Sequence, residues 1–230
     1  MNWNLDALYK GFDETYEHDL KNLENLLNDY KTLVKNDQKL SDLALLEAYL
    51  KSQEELEKKA TSLYAFASLT TSTDVTNQVA LGYMSKLQQL LSSVTKENVQ
   101  MSRFIAGLDL QKLAKQSALV KTYLYNLELT QKSAKHLLSE AEEVIYAKMR
   151  QLASNQWSQL QGLLTANLNV EFEGKTITLS EVRNLAYDHN KDIRRKAYEA
   201  ELKSYEPIAD AVAMALSNIK REVTELNQMR

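Results

Sequence analysis

Apolar residues return at steps of three and four along nearly all of this 230-residue chain, and a single proline, Pro207, stands among them. That spacing places apolar side chains on one face of a helix, and the scarcity of proline lets the helices run long. After a short aromatic opening (Trp3, Leu5, Leu8, Tyr9, Phe12), Gly11 interrupts the pattern and Asp13 is placed to cap a helix. Tyr16, Leu20, Leu23, Leu27, Tyr30 and Val34 then form one stripe, which predicts a helix ending at Asn36-Asp37. Ser41-Asp42 opens a second, with Leu43, Leu46, Leu50, Leu56, Ala60, Leu63 and Ala67 on its inner side. The run from Thr70 to Asp74 reads as a Ser/Thr-rich break, with Asp74 capping a third helix. Val75, Val79, Tyr83, Leu87, Leu90, Val94 and Met101 line that helix, which runs to about Gly107. Long amphipathic helices with short breaks imply antiparallel neighbours packed in a bundle.

The second half continues the pattern with one exception. Leu110 to Gln116 predicts a short helix and Leu119 to Lys135 a longer one. Ser139 and Glu142 have capping-box spacing, so a helix starts there, with Val144, Ala147, Met149 and Leu152 on its face. In 167–179, Val170 and Phe172 alternate with Glu171 and Glu173, and Ile177 and Leu179 with Thr176 and Thr178. Gly174-Lys175 lies between them as a turn, so the segment reads as a β-hairpin with one apolar face. Helices resume at Ser180. Asn190 or Asp188 caps the charged stretch Lys191 to Lys203, and Pro207 suits the first turn of a last helix. That helix carries Ile208, Val212, Leu216, Ile219, Val223 and Leu226, and reaches Met229-Arg230 with no stop signal. The expected fold is mainly α: an antiparallel helical bundle of long amphipathic helices with one small β-hairpin near 167–179.

Several function classes fall away. The chain has no cysteine, which excludes disulfides, thiolate metal sites and a cysteine nucleophile. A net charge of −3 gives no global positive field for nucleic acid or an anionic membrane. Met1 to Leu8 does not resemble a signal segment, and Ile208 to Leu216, the most apolar window, is far shorter than the roughly 20 residues a bilayer requires. The expected location is cytoplasmic.

The chemical candidates are few. His18, His136 and His189 lie more than fifty residues apart, with no H-E-x-x-H, H-x-x-x-H or E-x-x-H among them, and read as unrelated structural or surface residues. Glu54-Glu55, Glu142-Glu143 and the pair Glu171 and Glu173 read as solvated charge rather than acid/base pairs. Lys191, Arg194, Arg195 and Lys196 could meet a phosphate or a peptide carboxylate. Asp188, Asp192 and Glu199 interleave them, and Asp192 lies four residues before Lys196, so a salt-bridged helix face is the expectation. No glycine-rich phosphate loop and no G-x-S-x-G is present. The twelve tyrosines fall mostly at helical steps, as expected for partial burial with the hydroxyl at water. No catalytic, cofactor-binding or metal-binding residue is assigned.

The order and spacing of several segments nevertheless resemble one family. Trp3-Asn4-Leu5-Asp6-Ala7-Leu8-Tyr9 with Gly11-Phe12, the stretch from Tyr123 to Lys135, and His136-Leu137-Leu138-Ser139-Glu140-Ala141-Glu142-Glu143 (an H-x-L-S-x-x-x-E pattern) are similar to oligoendopeptidase F enzymes. So are the region from Trp157 into the hairpin, Arg194-Arg195-Lys196-Ala197-Tyr198, and Ala215-Leu216-Ser217-Asn218-Ile219-Lys220. The resemblance implies a mostly helical zinc metallopeptidase of the thimet-oligopeptidase type, cutting short peptides in a channel between helical lobes. The family's H-E-x-x-H helix and downstream Glu ligand lie beyond the region matching residue 230, so no position here inherits a zinc ligand. The implied parts are an N-terminal helical lobe (1–108), a helical segment with the hairpin (109–182) and the first helices of a truncated catalytic domain (183–230). In this reading zinc, short peptide substrates and the remainder of the catalytic domain belong to the intact enzyme. The chain alone is a channel wall that binds no cofactor, is inactive, and self-associates through exposed surface on 181–230. The alternative is a free-standing helical-bundle interaction module with no enzymatic activity.

Overall fold

The computed structural model describes residues 4–36, 39–74 and 77–229. Trp3, Asp37, Val75 and Arg230 lie outside the described residues. The chain divides into two compact units, Met1–Ala147 and Lys148–Arg230.

In the first unit, α1 (Glu14–Lys35) is capped by Asp13, whose side chain accepts from the N–H groups of Thr15 and Tyr16. It ends at Asn36, which takes a left-handed conformation at φ 51°. Tyr16, Leu20, Leu23, Leu27 and Tyr30 are almost fully buried, and burying each such side chain contributes about 2 kcal/mol. Helix α2 (Asp42–Thr73) starts at Ser41, as its sequence predicts. The Tyr16 hydroxyl donates to the Leu63 carbonyl, Lys59 to Asp19, and the Tyr30 ring lies 6.2 Å from that of Tyr49. One partner's number rises as the other's falls, so α1 and α2 run antiparallel.

The expected break at Thr70–Asp74 is helical through Thr73. The hydroxyls of Thr70, Thr71, Ser72 and Thr73 donate to carbonyls three or four residues back, so they join the helix instead of interrupting it. Asn77, not Asp74, caps α3 (Gln78–Ser92). Its buried face follows Ala80, Tyr83 and Leu87, which leaves Val79 exposed. The single helix expected to run to Gly107 is divided. Ser93 and Val94 leave the ladder (Val94 φ −108°, ψ 15°) and α4 (Thr95–Ala106) begins anew, with Val94 buried at the joint.

Helix α5 (Leu110–Ala114) is followed by α6 (Ala118–Thr122) and α7 (Leu124–Ala134), where one longer helix was expected. Tyr123 breaks it, and its hydroxyl donates 2.6 Å to Glu54 on α2. Leu46, Leu50, Ile105, Leu110, Val120 and Leu127 form a second core. The capping box that opens α8 (Glu140–Leu152) is present, with Glu142 accepting from Ser139 N–H at 2.8 Å and Ser139 Oγ from Glu142 N–H at 3.3 Å. The expected apolar face of α8 differs. Met149 and Leu152 are exposed, and Glu143 is buried, accepting from Leu138 N–H at 3.0 Å.

In the second unit, α9 (Ser154–Ala166) precedes an antiparallel hairpin, β1 (Asn169–Phe172) and β2 (Lys175–Thr178), paired Val170 to Ile177 and Phe172 to Lys175. The turn is Glu173-Gly174, one residue earlier than expected. Both residues have positive φ (49° and 79°), the pattern of a two-residue turn that matches strand twist. Leu179 lies outside the strand and opens α10 (Leu179–Asn184), because Thr178 and Glu181 form a capping box. Val170, Leu179, Val182 and Ala197 make the core beneath the hairpin. Asn190 caps α11 (Lys191–Ser204), and Pro207 sits in the short 3₁₀ turn before α12 (Ala209–Met229). On α12 Ala215 is buried, while Leu216 and Val223 of the expected stripe are half-exposed. None of the described helices is long and apolar enough to cross a membrane.

Candidate functional site

The sequence candidates do not converge. His18 is exposed on α1, its Nδ1 3.2 Å from Asn22 Nδ2, and His136 and His189 are exposed in loops. Among the described residues no group of three His, Asp or Glu side chains could hold a metal, so these residues do not fit a zinc site. The carboxylates serve local structure. Glu54 accepts from Tyr123, Glu142 and Glu143 from backbone around Ser139, and Glu171 from Thr176 at 2.6 Å, while Glu55 is exposed. The basic cluster is ion-paired in part: Arg195 and Lys196 have carboxylate partners, Arg194 bonds backbone, and Lys191 is exposed. Arg195 pairs with Glu199 at 3.0 Å and Arg194 donates to the carbonyls of Asp188 and His189. Lys196 reaches Glu173 at the hairpin turn, 2.8 Å away, instead of Asp192 four residues before it. That bond to Glu173 holds the Lys196 ammonium above its ordinary pKa.

Two constellations were not visible in sequence. In the first unit, Tyr9, Phe12, Tyr16, Phe66 and Tyr83 pack mostly edge to face, while Tyr16 and Phe66 are tilted at 48° and Phe12 and Tyr83 stack 4.7 Å apart. Their hydroxyls find acceptors at the rim: Tyr9 donates to Asp19 at 2.8 Å and Tyr83 to Glu17. The bond to Glu17, with burial, pushes the Tyr83 phenol up to about 12. Beside this cluster lies a cleft of about 460 Å³ lined by Tyr9, Asp19, Lys58 and Lys59. Of its two lysines, Lys59 is already engaged, donating to Asp19 at 2.8 Å.

In the second unit, Arg183 of α10 donates through Nε to Glu201 of α11 at 2.8 Å and through Nη2 to the Tyr205 hydroxyl at 2.6 Å. Tyr205 donates in turn to the same Glu201 oxygen at 2.7 Å. Hydrogen bonds from Arg183 and then Tyr205 hold Glu201 below the usual carboxylate range, against its partial burial, and Glu201 holds the guanidinium up. Arg183 and Tyr205 line a cleft of about 280 Å³ together with Gln161 and Thr165 of α9 and the apolar Ile208, Ala209 and Val212. Nearby, Glu222 of α12 accepts from both the N–H (3.0 Å) and Oγ (3.1 Å) of Ser154. It thereby caps α9, whose own Ala153 offers no side-chain acceptor. The three- and four-residue steps Tyr9–Phe12–Tyr16 and Glu201–Tyr205 are the local signals for these arrangements; the other partners come from separate elements.

Comparison with known proteins gives one consistent likeness. Residues 108–169 match the protein-family model described as Oligopeptidase F. Over 226 residues the chain is 25% identical to Oligopeptidase PepF of Bacillus subtilis (strain 168), an alignment covering 94% of this chain and 33% of that protein. Its fold is like that in the crystal structure of oligoendopeptidase-F from Enterococcus faecium, with a TM-score of 0.74 at 15% identity over 95% of this chain and 44% of that one. The chain therefore spans about a third of the curated relative it matches. The likeness to oligoendopeptidase F, in its N-terminal portion, and the mainly α fold with one small hairpin are as the sequence resemblance implies.

Proposed function

We propose that a chain similar, almost throughout, to the N-terminal part of oligoendopeptidase F supplies the channel-wall portion of a cytoplasmic zinc metallo-oligopeptidase that hydrolyses short peptides. The observation that carries this reading is the likeness over 94% of the chain to an oligopeptidase. In this reading 1–108 is the N-terminal helical lobe, 109–182 the helical segment with the hairpin, and 183–230 the first helices of the catalytic domain. The zinc, its ligands and the general base belong to that domain's remainder. The described residues do not fit a zinc site, so no hydrolytic step is assigned to them.

A helical wall contributes by exclusion. Stacked amphipathic helices bury their apolar faces and stay stiff, so they admit an extended peptide and turn away folded proteins. Leu216 and Val223, half-exposed on α12, support a covering helical layer from the remaining catalytic domain over a free-standing interaction module. The test is a fluorogenic oligopeptide assay on the purified chain with added zinc. No EDTA-sensitive turnover is the expected result; clear turnover that EDTA abolishes overturns the reading.

A further inference from the structure

We propose that Glu222 is the latch of a two-state helix, bent at Ala153 into α8 and α9 while α12 is seated, and continuous across Ala153 once Glu222 lets go. Nothing local accounts for the bend. No Gly or Pro lies between Glu140 and Gln161, and Ala153, where the helix breaks at φ −111° and ψ −98°, is the residue type that favours a helix most. The helical register also runs on through the break. Met149, Leu152 and Leu163, all exposed, stand three and then eleven residues apart, close to one and three turns of a single helix.

Side chains replace the helical bonds that the bend removes. In a continuous helix the Ser154 N–H would donate to the Arg150 carbonyl, and the Asn155 N–H to that of Gln151. Instead, the Ser154 N–H donates to Glu222 at 3.0 Å, and the Gln151 carbonyl accepts from the Gln156 side chain at 3.2 Å. Ser154 is only 9% exposed, and its hydroxyl donates to the other Glu222 oxygen at 3.1 Å. The carboxylate thus occupies a place that water reaches poorly. Gln156 travels with α9, whereas Glu222 belongs to α12, 68 residues along the chain. The bend and the seating of α12 on α9 therefore form one equilibrium: whatever displaces α12 frees the helix to extend, and extension unseats Glu222.

The chain has no cysteine, so Lys148→Cys and Leu163→Cys, both at exposed positions, place two spin labels on the full chain for pulsed EPR. A continuous helix sets these residues about 22 Å apart, and a bend shortens that distance. The labelled parent should show the short distance alone. Glu222→Ala should add a population at the longer one, with the extended fraction rising about tenfold or more for the loss of a charged acceptor. Glu222→Gln, which still accepts from the Ser154 N–H, should stay bent. Adding Ser154→Pro to Glu222→Ala should remove the long-distance population, because proline bars a continuous helix there yet suits the first turn of α9. Circular dichroism separates extension, which keeps the helical content, from fraying, which lowers it. A short distance alone in Glu222→Ala, equal extension in Glu222→Gln, a long distance gained with loss of helix, or one that survives the proline would each overturn the latch.

Discussion

Tyr9 and Lys59 both donate to the carboxylate of Asp19, at 2.8 Å each, and so tie the segment before α1 and the middle of α2 to α1. Burial pushes the Asp19 carboxyl up, but the bonds from Lys59, Tyr9 and Asn22 and the charge of Lys59 outweigh it, and the net pKa lies below its ordinary 3.8. A carboxylate whose pKa falls on folding adds stability above its unfolded pKa, and that contribution disappears as the pH drops through the folded value. Asp19→Asn should therefore lower stability by about 1–2 kcal/mol at neutral pH, since Lys59 and Tyr9 lose a charged acceptor. Urea unfolding of parent and variant from pH 7 down to pH 2 checks this. The gap between them should close below the ordinary carboxylate value; a gap independent of pH would show that the ion pair is not its source. None of this was legible from sequence, because Tyr9, Asp19 and Lys59 sit on three different segments and no periodicity links them.

At the scale of elements, the hairpin turn gives the clearest test. Glu173 and Gly174 both hold positive φ, a region that costs a residue with a Cβ roughly 1 kcal/mol or more. Nothing lies within 4 Å of a Cβ built on Gly174, so Gly174→Ala measures conformational strain without a clash. It should destabilise the chain by about 1 kcal/mol. Glu173→Asn should stabilise it by a few tenths, because asparagine tolerates this conformation and the exposed pair with Lys196 adds little. Thermal unfolding of both variants checks the opposite signs. What could be read in advance follows the same physics. The stripe from Tyr16 to Tyr30 and the Ser139–Glu142 box depend on residues within one turn of each other, and both stand as predicted. The Thr70–Asp74 run is helical through Thr73 instead of a break, because hydroxyls that often favour caps can also bond back along a helix. The breaks at Val94 and Tyr123 answer to partners on other helices. The Thr178–Glu181 box has the same spacing as Ser139–Glu142 but follows directly on a strand, so the alternation masked it.

For the whole molecule, the open question is what meets the apolar surface of residues 181–230. Tyr198 and Leu202 lie exposed four residues apart on α11, and Met214, Leu216 and Val223 are exposed on α12 at 61%, 54% and 47%. Ala215 takes the buried position beside Leu216, and Glu222, next to Val223, caps α9. Leu216 and Val223 of the stripe are thus left toward solvent, while Ile208, Val212, Ile219 and Leu226 are partly buried and the small Ala215 meets the core. Apolar surface of this kind on an isolated chain promotes association, with each exposed leucine or valine gaining up to about 1.5–3 kcal/mol on full burial. The chain should form dimers whose fraction rises with concentration in light scattering. Leu216→Glu combined with Val223→Glu should return it to a monomer without loss of helical content, because both side chains are half in water already. A parent chain that stays monomeric at high concentration would count against this surface as a contact face. Dimers that persist in the double variant would move the contact to α11, where Tyr198→Glu with Leu202→Glu gives the matching test.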